Sequence, residues 1–312
     1  MGSNQIDIGI LSDDVTYSVS PAYHTYEIKG IDYDYLRYCL ECRNADMFVR
    51  YVKRGSRQGK TIDLKRWLEY EIPVYSASEQ LTIVENLDKV THTIDLCNQI
   101  IEKLDLLVKA RFTELFGDPV SNPMKWNIFQ IGERCEIITG NTPPRADTYN
   151  YGNFIEWIKS DNINTPDTFL TQAEEYLSEK GTKIGRCVDS GSVLMTCIAG
   201  SLSCIGNVGV ADRRVAFNQQ INAIVPKIDE TMYIYWLMIL SKSYIQNTIN
   251  MTLKGILSKG KLSIMKFPFP PFELQRQFSD LVEQTEKSKS VVKKVLEKAE
   301  TLKKALMQEY FG

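Results

Sequence analysis

Long apolar runs and secretion signals are absent from the 312 residues. No apolar run reaches the roughly 18 residues that a membrane-spanning helix needs. The chain also does not open on the charged-then-apolar pattern of a secretion signal. We therefore expect a cytoplasmic protein that has no membrane partner.

Common catalytic motifs are missing as well. No glycine-rich loop ends in Gly-Lys-Ser or Gly-Lys-Thr, and no dinucleotide fingerprint is present. The two histidines, His24 and His92, lie far apart in sequence, which gives a histidine-based triad little support. The segment Asn141-Thr142-Pro143-Pro144 does not supply the Asn/Asp-Pro-Pro-aromatic signature of a methyltransferase. The chain is therefore predicted to have no catalytic site and no bound cofactor of its own.

Cysteine is present, but not in the pattern of a zinc site. An odd number of cysteines, seven, without a secretion signal indicates reduced thiols. Cys39 and Cys42 form the one close pair of metal-binding type, and zinc would need a second pair or suitably spaced histidines. Because Cys39 lies in the apolar run Tyr35 to Leu40, we expect buried thiols on a helix.

One loose catalytic spacing keeps a nuclease open as an alternative. Asp14 followed by Glu27-Ile28-Lys29 fits the acid-then-Glu-x-Lys spacing of Mg²⁺-dependent nucleases, in which carboxylates hold the metal. Such spacings arise often by chance, and the aligned later stretch has Arg214 and Lys227 near these places. Replacing Glu27 and Lys29 and assaying cleavage with Mg²⁺ would test this alternative.

The chain does contain an internal repeat. Residues 72–117 align without a gap onto residues 267–312, at a constant offset of 195 from Pro73/Pro268 to Gly117/Gly312. Other identical pairs are Gln80/Gln275, Glu102/Glu297, Lys103/Lys298, Lys109/Lys304, Ala110/Ala305, Glu114/Glu309 and Phe116/Phe311. A looser upstream match at an offset of 200 pairs Gly9/Gly209, Val15/Val215, Ile28/Ile228, Tyr33/Tyr233, Tyr35/Tyr235, Leu40/Leu240 and Gly55/Gly255.

Two copies of one unit, a globular part followed by a long helix, are therefore predicted. The first globular part covers residues 1–71 and its helix residues 72–117. The second globular part covers residues 118–266 and its helix residues 267–312. The counterpart of residues 118 to about 205 is missing from the first copy.

Each predicted helix carries an apolar stripe. In the first copy the stripe follows Ile83, Leu87, Val90, Ile94, Cys97, Ile101, Leu104, Val108 and Leu115. In the second copy it follows Phe278, Leu281, Thr285, Ser288, Val292, Val295, Ala299, Leu302 and Leu306. Steps that alternate four and three are typical of a coiled-coil seam, and two related units predict an antiparallel pair. The alternative is that each helix packs on its own domain.

The globular parts are predicted to be mixed α/β (α+β) domains with irregular sheets. Predicted strands cover residues 137–139, 154–158, 192–196 and 207–211, and residues 232–247 have the pattern of an amphipathic helix. Aromatic residues recur on the aligned helices, where a core role is favoured over base stacking. They are Tyr33, Tyr35, Tyr233, Tyr235 and Trp236.

Because the net charge is −2, a nucleic-acid partner would need locally concentrated positive charge. Two aligned stretches are basic and contain glycines. This combination favours contacts with DNA phosphates over the alternative that the basic side chains only face solvent. Their candidate residues are Lys53, Arg54, Arg57, Lys60, Lys254, Lys259 and Lys261. Arg145, Lys159, Arg213 and Arg214 are further candidates. Asn141, Thr142, Asn218 and Gln219 suit base contacts, with a turn or strand-cap role as the alternative.

Several motifs carry a family resemblance. Residues 140–144, 157–163, 189–194, 206–209 and 217–221 resemble, in this order, a target recognition domain of type I restriction-modification enzymes. Residues 19–23 look like a variant of the last motif, and residues 78–80 and 270–275 resemble the loops that open the conserved helices. The chain is thus similar to a specificity subunit whose first recognition domain lacks its front half.

The resemblance implies a division of labour. Two recognition domains, separated by a coiled-coil ruler, would each read one half of a split site in double-stranded DNA. Modification subunits would methylate adenine with S-adenosylmethionine, restriction subunits would use ATP, and Mg²⁺ is expected on these partners. A second copy of a specificity chain is a further partner.

A structural adaptor, whose coiled coil and globular parts bind only proteins, is the main alternative. Charge reversal at Lys254, Lys259 and Lys261 would separate the two, because only a DNA reader would lose DNA binding.

Overall fold

A computed structural model describes residues 5–11, 15–21, 23–54, 60–249 and 255–312. The chain divides into two compact units. Unit 1 comprises Met1–Lys103 and Ser288–Gly312, and unit 2 comprises Leu104–Lys287. Within the described ranges, no helix combines the length and the apolar character that crossing a membrane requires.

The helices, in chain order, are α1 Tyr33–Tyr51, α2 Leu64–Trp67, α3 Ala77–Phe116, α4 Ile131–Arg134, α5 Glu179–Ile184, α6 Thr231–Leu240, α7 Lys242–Gln246, α8 Lys259–Ser263 and α9 Phe272–Phe311. The strands are β1 Val52–Arg54, β2 Lys60–Ile62, β3 Ile128–Gln130, β4 Cys135–Thr139, β5 Tyr151–Ile158, β6 Tyr176–Leu177, β7 Cys187–Val188, β8 Val193–Thr196, β9 Ile198–Ala199, β10 Val208–Val210, β11 Val215–Phe217, β12 Ile221–Pro226, β13 Gly255–Ile256 and β14 Lys266–Pro268.

The two long helices confirm the repeat. Helices α3 and α9 each have 40 residues, and both their first and their last residues are 195 positions apart. A capping box starts α3, because the Ser76 N–H donates to the Glu79 carboxylate at 2.9 Å and the Glu79 N–H donates to the Ser76 hydroxyl at 3.4 Å. Gly117, with φ of 76°, follows the end of α3 in the left-handed conformation that glycine adopts without strain.

The core of unit 1 joins α1 to the beginning of α3 and the end of α9. Tyr35 of α1 packs with Ile83 and Leu87 of α3 and with Phe311 of α9, whose ring centroid lies 5.2 Å from that of Tyr35. Cys39, which is also buried on α1, belongs to the same cluster, as predicted for a helix thiol. Burial raises the pKa of Cys39 to about 11.

In unit 2 the end of α3 lies with the beginning of α9. Phe112 and Phe116 of α3 contact Phe278 of α9 at centroid distances of 5.4 and 5.5 Å, and Tyr233 of α6 stacks on Phe112 at 5.7 Å. In each unit, therefore, the start of one long helix meets the end of the other. Both arrangements are those of the predicted antiparallel pair.

The predicted stripe of α3 is on the packed side of the helix. Ile83, Leu87, Cys97 and Val108 are buried. The positions Val90, Ile94, Ile101, Leu104 and Leu115 are half-buried.

For α9 the prediction is wrong at three positions. Val292 and Leu306 are half-buried, but Ser288 is exposed, Val295 is 44% exposed and Leu302 is 49% exposed. The packed stripe of α9 instead repeats that of α3 at the offset of 195, so that Leu296 corresponds to Ile101 and Lys303 to Val108.

A search for hydrophobic residues does not identify this register, because the charged residue Lys303 occupies one of the packed positions. Its ammonium lies 3.2 Å from the Glu41 carboxylate and 5.7 Å from the centre of the Tyr38 ring. A lysine places its methylene stem on an apolar surface while its charge stays near water, so it can occupy a position on a packed stripe.

Each long helix also holds a globular part through a buried glutamine. The Asp32 N–H, at the start of α1, donates to Gln80 Oε1 at 2.9 Å, and the Glu230 N–H, at the start of α6, donates to Gln275 Oε1 at 3.1 Å. Each glutamine amide donates in turn to the carbonyl five residues earlier in the chain. Gln80 and Gln275 are 4% and 0% exposed, so these bonds are shielded from water.

The equivalent tyrosines correct the upstream alignment. Tyr35 donates its hydroxyl to Pro73 O at 2.8 Å, and Tyr233 donates to Pro268 O at 2.7 Å. Tyr35 therefore corresponds to Tyr233, at an offset of 198, and the predicted pairing of Tyr33 with Tyr233 is wrong by two residues. The sequence is compatible with both pairings, because each copy contains the pattern Tyr-x-Tyr.

Unit 2 contains small irregular sheets, as predicted. One has the order β10-β8-β12-β4 and is antiparallel. Another has the order β6-β5-β11-β7, in which β5 and β11 are parallel. Shorter pairs join β13 to β9 and β14 to β3. The four strands expected from sequence correspond to β4, β5, β8 and β10.

The amphipathic helix predicted over residues 232–247 is wrong in two respects. The segment is interrupted at Ser241, which separates α6 from α7. Every residue from Met232 to Met238 is buried, because α6 packs in the unit 2 core among strand residues such as Val193 and helix residues such as Phe278. Tyr35, Tyr233, Tyr235 and Trp236 are core residues as predicted, whereas Tyr33 is 46% exposed.

Candidate nucleic-acid interface

Two of the predicted motifs meet where β4 and β11 end. The loop from Gly140 to Arg145 follows β4, and the turn from Phe217 to Ile221 joins β11 to β12. The Gly140 N–H donates to Ile221 O at 3.0 Å, and a Cβ atom on Gly140 would lie 2.1 Å from Asn218 O. Only glycine permits this approach.

The two asparagines of these motifs bind other parts of the same domain. Asn141 donates its amide to Ile184 O at 2.9 Å, and its Oδ1 accepts from the Arg186 N–H at 2.8 Å. Asn218 is 6% exposed, and its Oδ1 accepts from the Gln220 N–H at 3.0 Å. The turn role weighed against base contact is therefore the one that Asn218 performs, whereas Asn141 ties its loop to the segment around residues 184–186.

Thr142 and Gln219 lie side by side at the surface. The Thr142 hydroxyl donates to the side-chain oxygen of Gln219, which joins the two motifs. Gln219 is exposed and Thr142 is half-buried. These hydroxyl and amide groups are of the kind that bind base edges.

Arg145 and Lys159 gather around Trp157. The Arg145 guanidinium lies 4.9 Å from the centre of the Trp157 ring and 4.6 Å from that of Tyr151, and the Lys159 ammonium lies 5.5 Å from Trp157. Both cations bind the Glu175 carboxylate, Lys159 by a hydrogen bond and Arg145 in an ion pair of 2.9 Å. The hydrogen bond from Lys159, joined by Arg145, lowers the pKa of Glu175.

Side chains from β5 and from the residue just before it hold the backbone that precedes Arg145 in place. Tyr151 donates its hydroxyl to Pro143 O at 2.7 Å, and the Asn150 amide donates to Pro144 O at 3.1 Å. The Trp157 indole donates to Asn141 O at 3.3 Å. We call the exposed and half-exposed side chains assembled in this way the Trp157 surface. It comprises Thr142, Arg145, Lys159, Glu175 and Gln219.

Arg213 has no donor left for DNA. Its Nε and Nη2 donate to Glu156 at 2.6 and 2.8 Å. Its Nη1 donates to Leu170 O and Asp212, and Nη2 also donates to Thr171 O. A guanidinium has five N–H groups, and this network uses all of them. Its neighbour Arg214 is 66% exposed, with its Nε 3.6 Å from Asp189.

The other basic candidates lie on separate elements. Lys259 is the exposed first residue of α8, and Lys261 donates its ammonium to Thr248 O. Lys53, on β1, pairs with Asp63 at 2.8 Å. Arg54 and Lys60 are backbone partners in the register of the β1–β2 ladder. Arg57 and Lys254 lie outside the described residues.

The nuclease-like spacing is only partly described. Asp14 lies outside the described residues, and Glu27 and Lys29 pair with each other at 2.9 Å, each 76% exposed. Among the described His, Cys, Asp and Glu residues, no group of three or more could hold a metal ion.

Sequence reasoning missed Glu175 and the stacking on Trp157. One signal was available for the stacking, because Trp157 and Lys159 are two residues apart at the end of a predicted strand and alternate residues share a face. For Glu175 the sequence offered none, since its contact with Arg145 depends on how loop and strand meet.

Comparisons with known proteins point to one family. The model of the type I restriction modification DNA specificity domain matches residues 123–301. The type I restriction enzyme HindI specificity subunit of Haemophilus influenzae is 26% identical over 144 residues, 46% of this chain and 29% of that protein. The type I restriction enzyme MjaX specificity subunit of Methanocaldococcus jannaschii is 22% identical over 298 residues, 88% of this chain and 66% of that protein.

A solved structure has the same fold. The type I restriction-modification S subunit from M. genitalium matches with a TM-score of 0.61 and 15% identity, covering 90% of this chain and 73% of that one. The chain thus spans 29% and 66% of the two curated relatives, which are specificity subunits of type I restriction enzymes. The family match covers more than half of the 312 residues. The chain therefore belongs to the family of type I restriction modification DNA specificity domains.

Proposed function

We propose that the chain reads part of a bipartite site in double-stranded DNA and that the Trp157 surface makes contacts in this complex. One observation carries the proposal. Side chains from three separate motifs, around residues 140–145, 157–163 and 217–221, come together on one surface. Arg145 and Lys159 would bind phosphates and so position the protein, while Thr142 and Gln219 would contact base edges.

The repeat supports the bipartite part of the proposal. Residues 118–266 form a complete recognition domain, residues 1–71 the back half of another, and residues 72–117 and 267–312 the conserved spacers. Equal helices of 40 residues suit a ruler that sets the distance between two half-sites. We leave Arg213, Asn141 and Asn218 out of the proposed contacts, because their polar groups bind the domain itself.

Partner subunits would dock on the long helices. Both helices carry a second apolar stripe outside the packed one, with exposures between 42% and 63%. On α3 it comprises Leu96, Ile100 and Leu107, and on α9 it comprises Val291, Val295 and Leu302. The two stripes are 195 residues apart at every position, so they fit two copies of one partner. We assign them to the modification subunits.

Catalysis would reside in these partners. Modification subunits would bind S-adenosylmethionine, and restriction subunits would use ATP and Mg²⁺. The cytoplasm, where such a complex would meet DNA, is the proposed location.

Arg145→Gln and Lys159→Gln test the DNA interface. Each variant should weaken binding to a random-sequence duplex. The slope of log K against log salt should become shallower by about 0.9, the value for one lost phosphate contact. Fluorescence anisotropy across a salt series measures both. Lys180→Gln is the matched control, because Lys180 also pairs with a carboxylate (Asp147, 2.7 Å) and lies near an aromatic ring (Tyr149, 5.7 Å). Unchanged DNA binding with intact partner assembly would favour the protein adaptor.

A further inference from the structure

We propose that Glu175 occupies, in the free protein, the place that a DNA phosphate takes in the complex. The inference rests on the proposed DNA contacts of Arg145 and Lys159. It adds that the chain carries an internal competitor for the DNA backbone at this surface. The ligand of the site is a phosphodiester group.

The carboxylate uses both of its oxygens on the two cations. Oε2 lies 2.9 Å from Arg145 Nη2, and Oε1 accepts the hydrogen bond from the Lys159 ammonium. A phosphodiester offers the same chemistry, since it carries one negative charge on two unesterified oxygens. Guanidinium groups bind carboxylates and phosphates with the same pair of N–H donors.

The three charged groups are held by rigid parts of the domain. The Trp157 N–H donates to Glu175 O at 2.9 Å, and β6, which follows Glu175, pairs with β5. Both cations lie over Trp157, so their positions persist when the carboxylate is exchanged for another anion. Side-chain exposures are 55% for Arg145 and 33% for Lys159, so a DNA backbone can reach the two cations.

The competitor would lower the affinity for every duplex by the same factor. On any duplex a phosphate must displace the carboxylate, and this cost is the same for every sequence. Base contacts add to the affinity of the correct site alone, so that site stays bound at protein concentrations at which non-specific DNA, whose binding depends on phosphate contacts, is released. Exposed ion pairs are weak, so the displacement remains within reach of a phosphate.

Glu175→Gln tests the proposal in the full chain. The variant should bind a random-sequence duplex about 3- to 10-fold more tightly, the range expected when weak surface ion pairs are released. Its slope of log K against log salt should stay that of the wild type, because in both complexes the two cations contact phosphate and only the cost of displacing Glu175 is removed. Glu175→Asp, which keeps the charge, should stay close to the wild type.

The matched control is Glu174→Gln, which makes the same change of charge one residue away on an exposed side chain. Equal gains for Glu174→Gln and Glu175→Gln would overturn the proposal in favour of a general charge effect. Weaker DNA binding by Glu175→Gln would overturn it too, because Glu175 would then position the cations. If Arg145→Gln and Lys159→Gln weaken binding but Glu175→Gln behaves like its control, only this inference fails. If neither cation affects binding, the proposed interface itself fails.

Discussion

At the scale of single residues, Arg213 and Glu156 show how a basic residue becomes part of a domain. Glu156 lies on β5 and is 15% exposed, and its carboxylate accepts two hydrogen bonds from Arg213 and one from the Ala173 N–H. The pair therefore ties β5 to the segment around Leu170, whose carbonyl Arg213 also binds. It stabilises the fold on which the Trp157 surface is built.

Glu156→Gln should lower the free energy of unfolding by about 2 kcal/mol at pH 7, because charged hydrogen bonds in a largely buried site are lost. Arg213 holds the pKa of Glu156 below its ordinary value. A carboxyl group of this kind stabilises the fold above its unfolded pKa of about 4.3, and the contribution is lost as the pH falls through the folded pKa. The difference in stability between wild type and variant should therefore shrink progressively as the pH falls below about 4.3.

Urea unfolding followed by tryptophan fluorescence measures the difference. Glu136→Gln, on an exposed position of β4, is the control and should match the wild type throughout. A difference between Glu156→Gln and wild type that persists unchanged at acid pH would show that the ion pair is not its cause.

Residue roles could be predicted only in part. Tyr233 and Trp236 were assigned to the core because large aromatic side chains recur on an aligned helix. The sequence could not show that every donor of Arg213 binds the domain itself, because the five acceptor atoms come from three separate places in the chain, at Glu156, at residues 170–171 and at Asp212. The same holds for Asn141, whose partners Ile184 and Arg186 lie more than 40 residues away.

At the scale of elements, the two long helices were the most predictable part of the chain. Their lengths and ends follow from an ungapped repeat and from periodicity without glycine or proline. The predicted seam of α9 is wrong at Val295 and Leu302 because these apolar residues are next in sequence to the positions that are packed. Applying the packed positions of α3 to α9 at the offset of 195 residues would have identified Leu296 and Lys303. The repeat therefore constrains the register more strongly than hydrophobicity does.

The exposed stripes make a prediction about partner docking. Ile100→Glu combined with Val295→Glu should weaken assembly with modification subunits about tenfold or more, because a carboxylate would be buried at each docking helix. The melting temperature of the chain itself should change little, since both side chains are over 40% exposed. Analytical size exclusion with purified subunits measures assembly.

Val49→Glu provides the control for this pair, because Val49 is an 80% exposed apolar residue on α1. Assembly that is lost equally in the control would mean that added charge, not the stripe, is responsible. Assembly that survives the double variant would remove these positions from the docking surface.

At the scale of the whole molecule, the repeat relates the residues ahead of α3 to the second globular part. The turn in which the Tyr23 N–H donates to Ser20 O at 2.9 Å matches the turn in which the Ile221 N–H donates to Asn218 O at 3.2 Å, again at an offset of 198. The buried-glutamine contact to the long helix is also present in both copies. Both matches support the proposal that the residues ahead of α3 form the back half of a recognition domain.

Burial differs sharply between these matched positions. Phe217 and Ile221 are 0% exposed, since β4, β5, β7 and β8 surround their strands. Their counterparts Val19 and Tyr23 are 48% and 62% exposed. The elements that cover the second copy come from residues 118–205, whose counterpart does not occur among residues 1–71. An apolar surface of this kind favours association with another polypeptide.

We propose that a second copy of the chain covers this surface, so that the purified protein self-associates through it. Val19→Ser combined with Tyr23→Ser should shift a concentration-dependent dimer toward monomer, because apolar area is removed from the contact, while leaving the fold intact. Multi-angle light scattering across a dilution series measures the mass. Leu68→Ser, which changes another exposed apolar residue of unit 1 (57%), should leave the dimer unchanged. A wild-type chain that remains monomeric at every concentration would contradict the proposal. Val19 and Tyr23 would then stay exposed in solution without contacting a second chain.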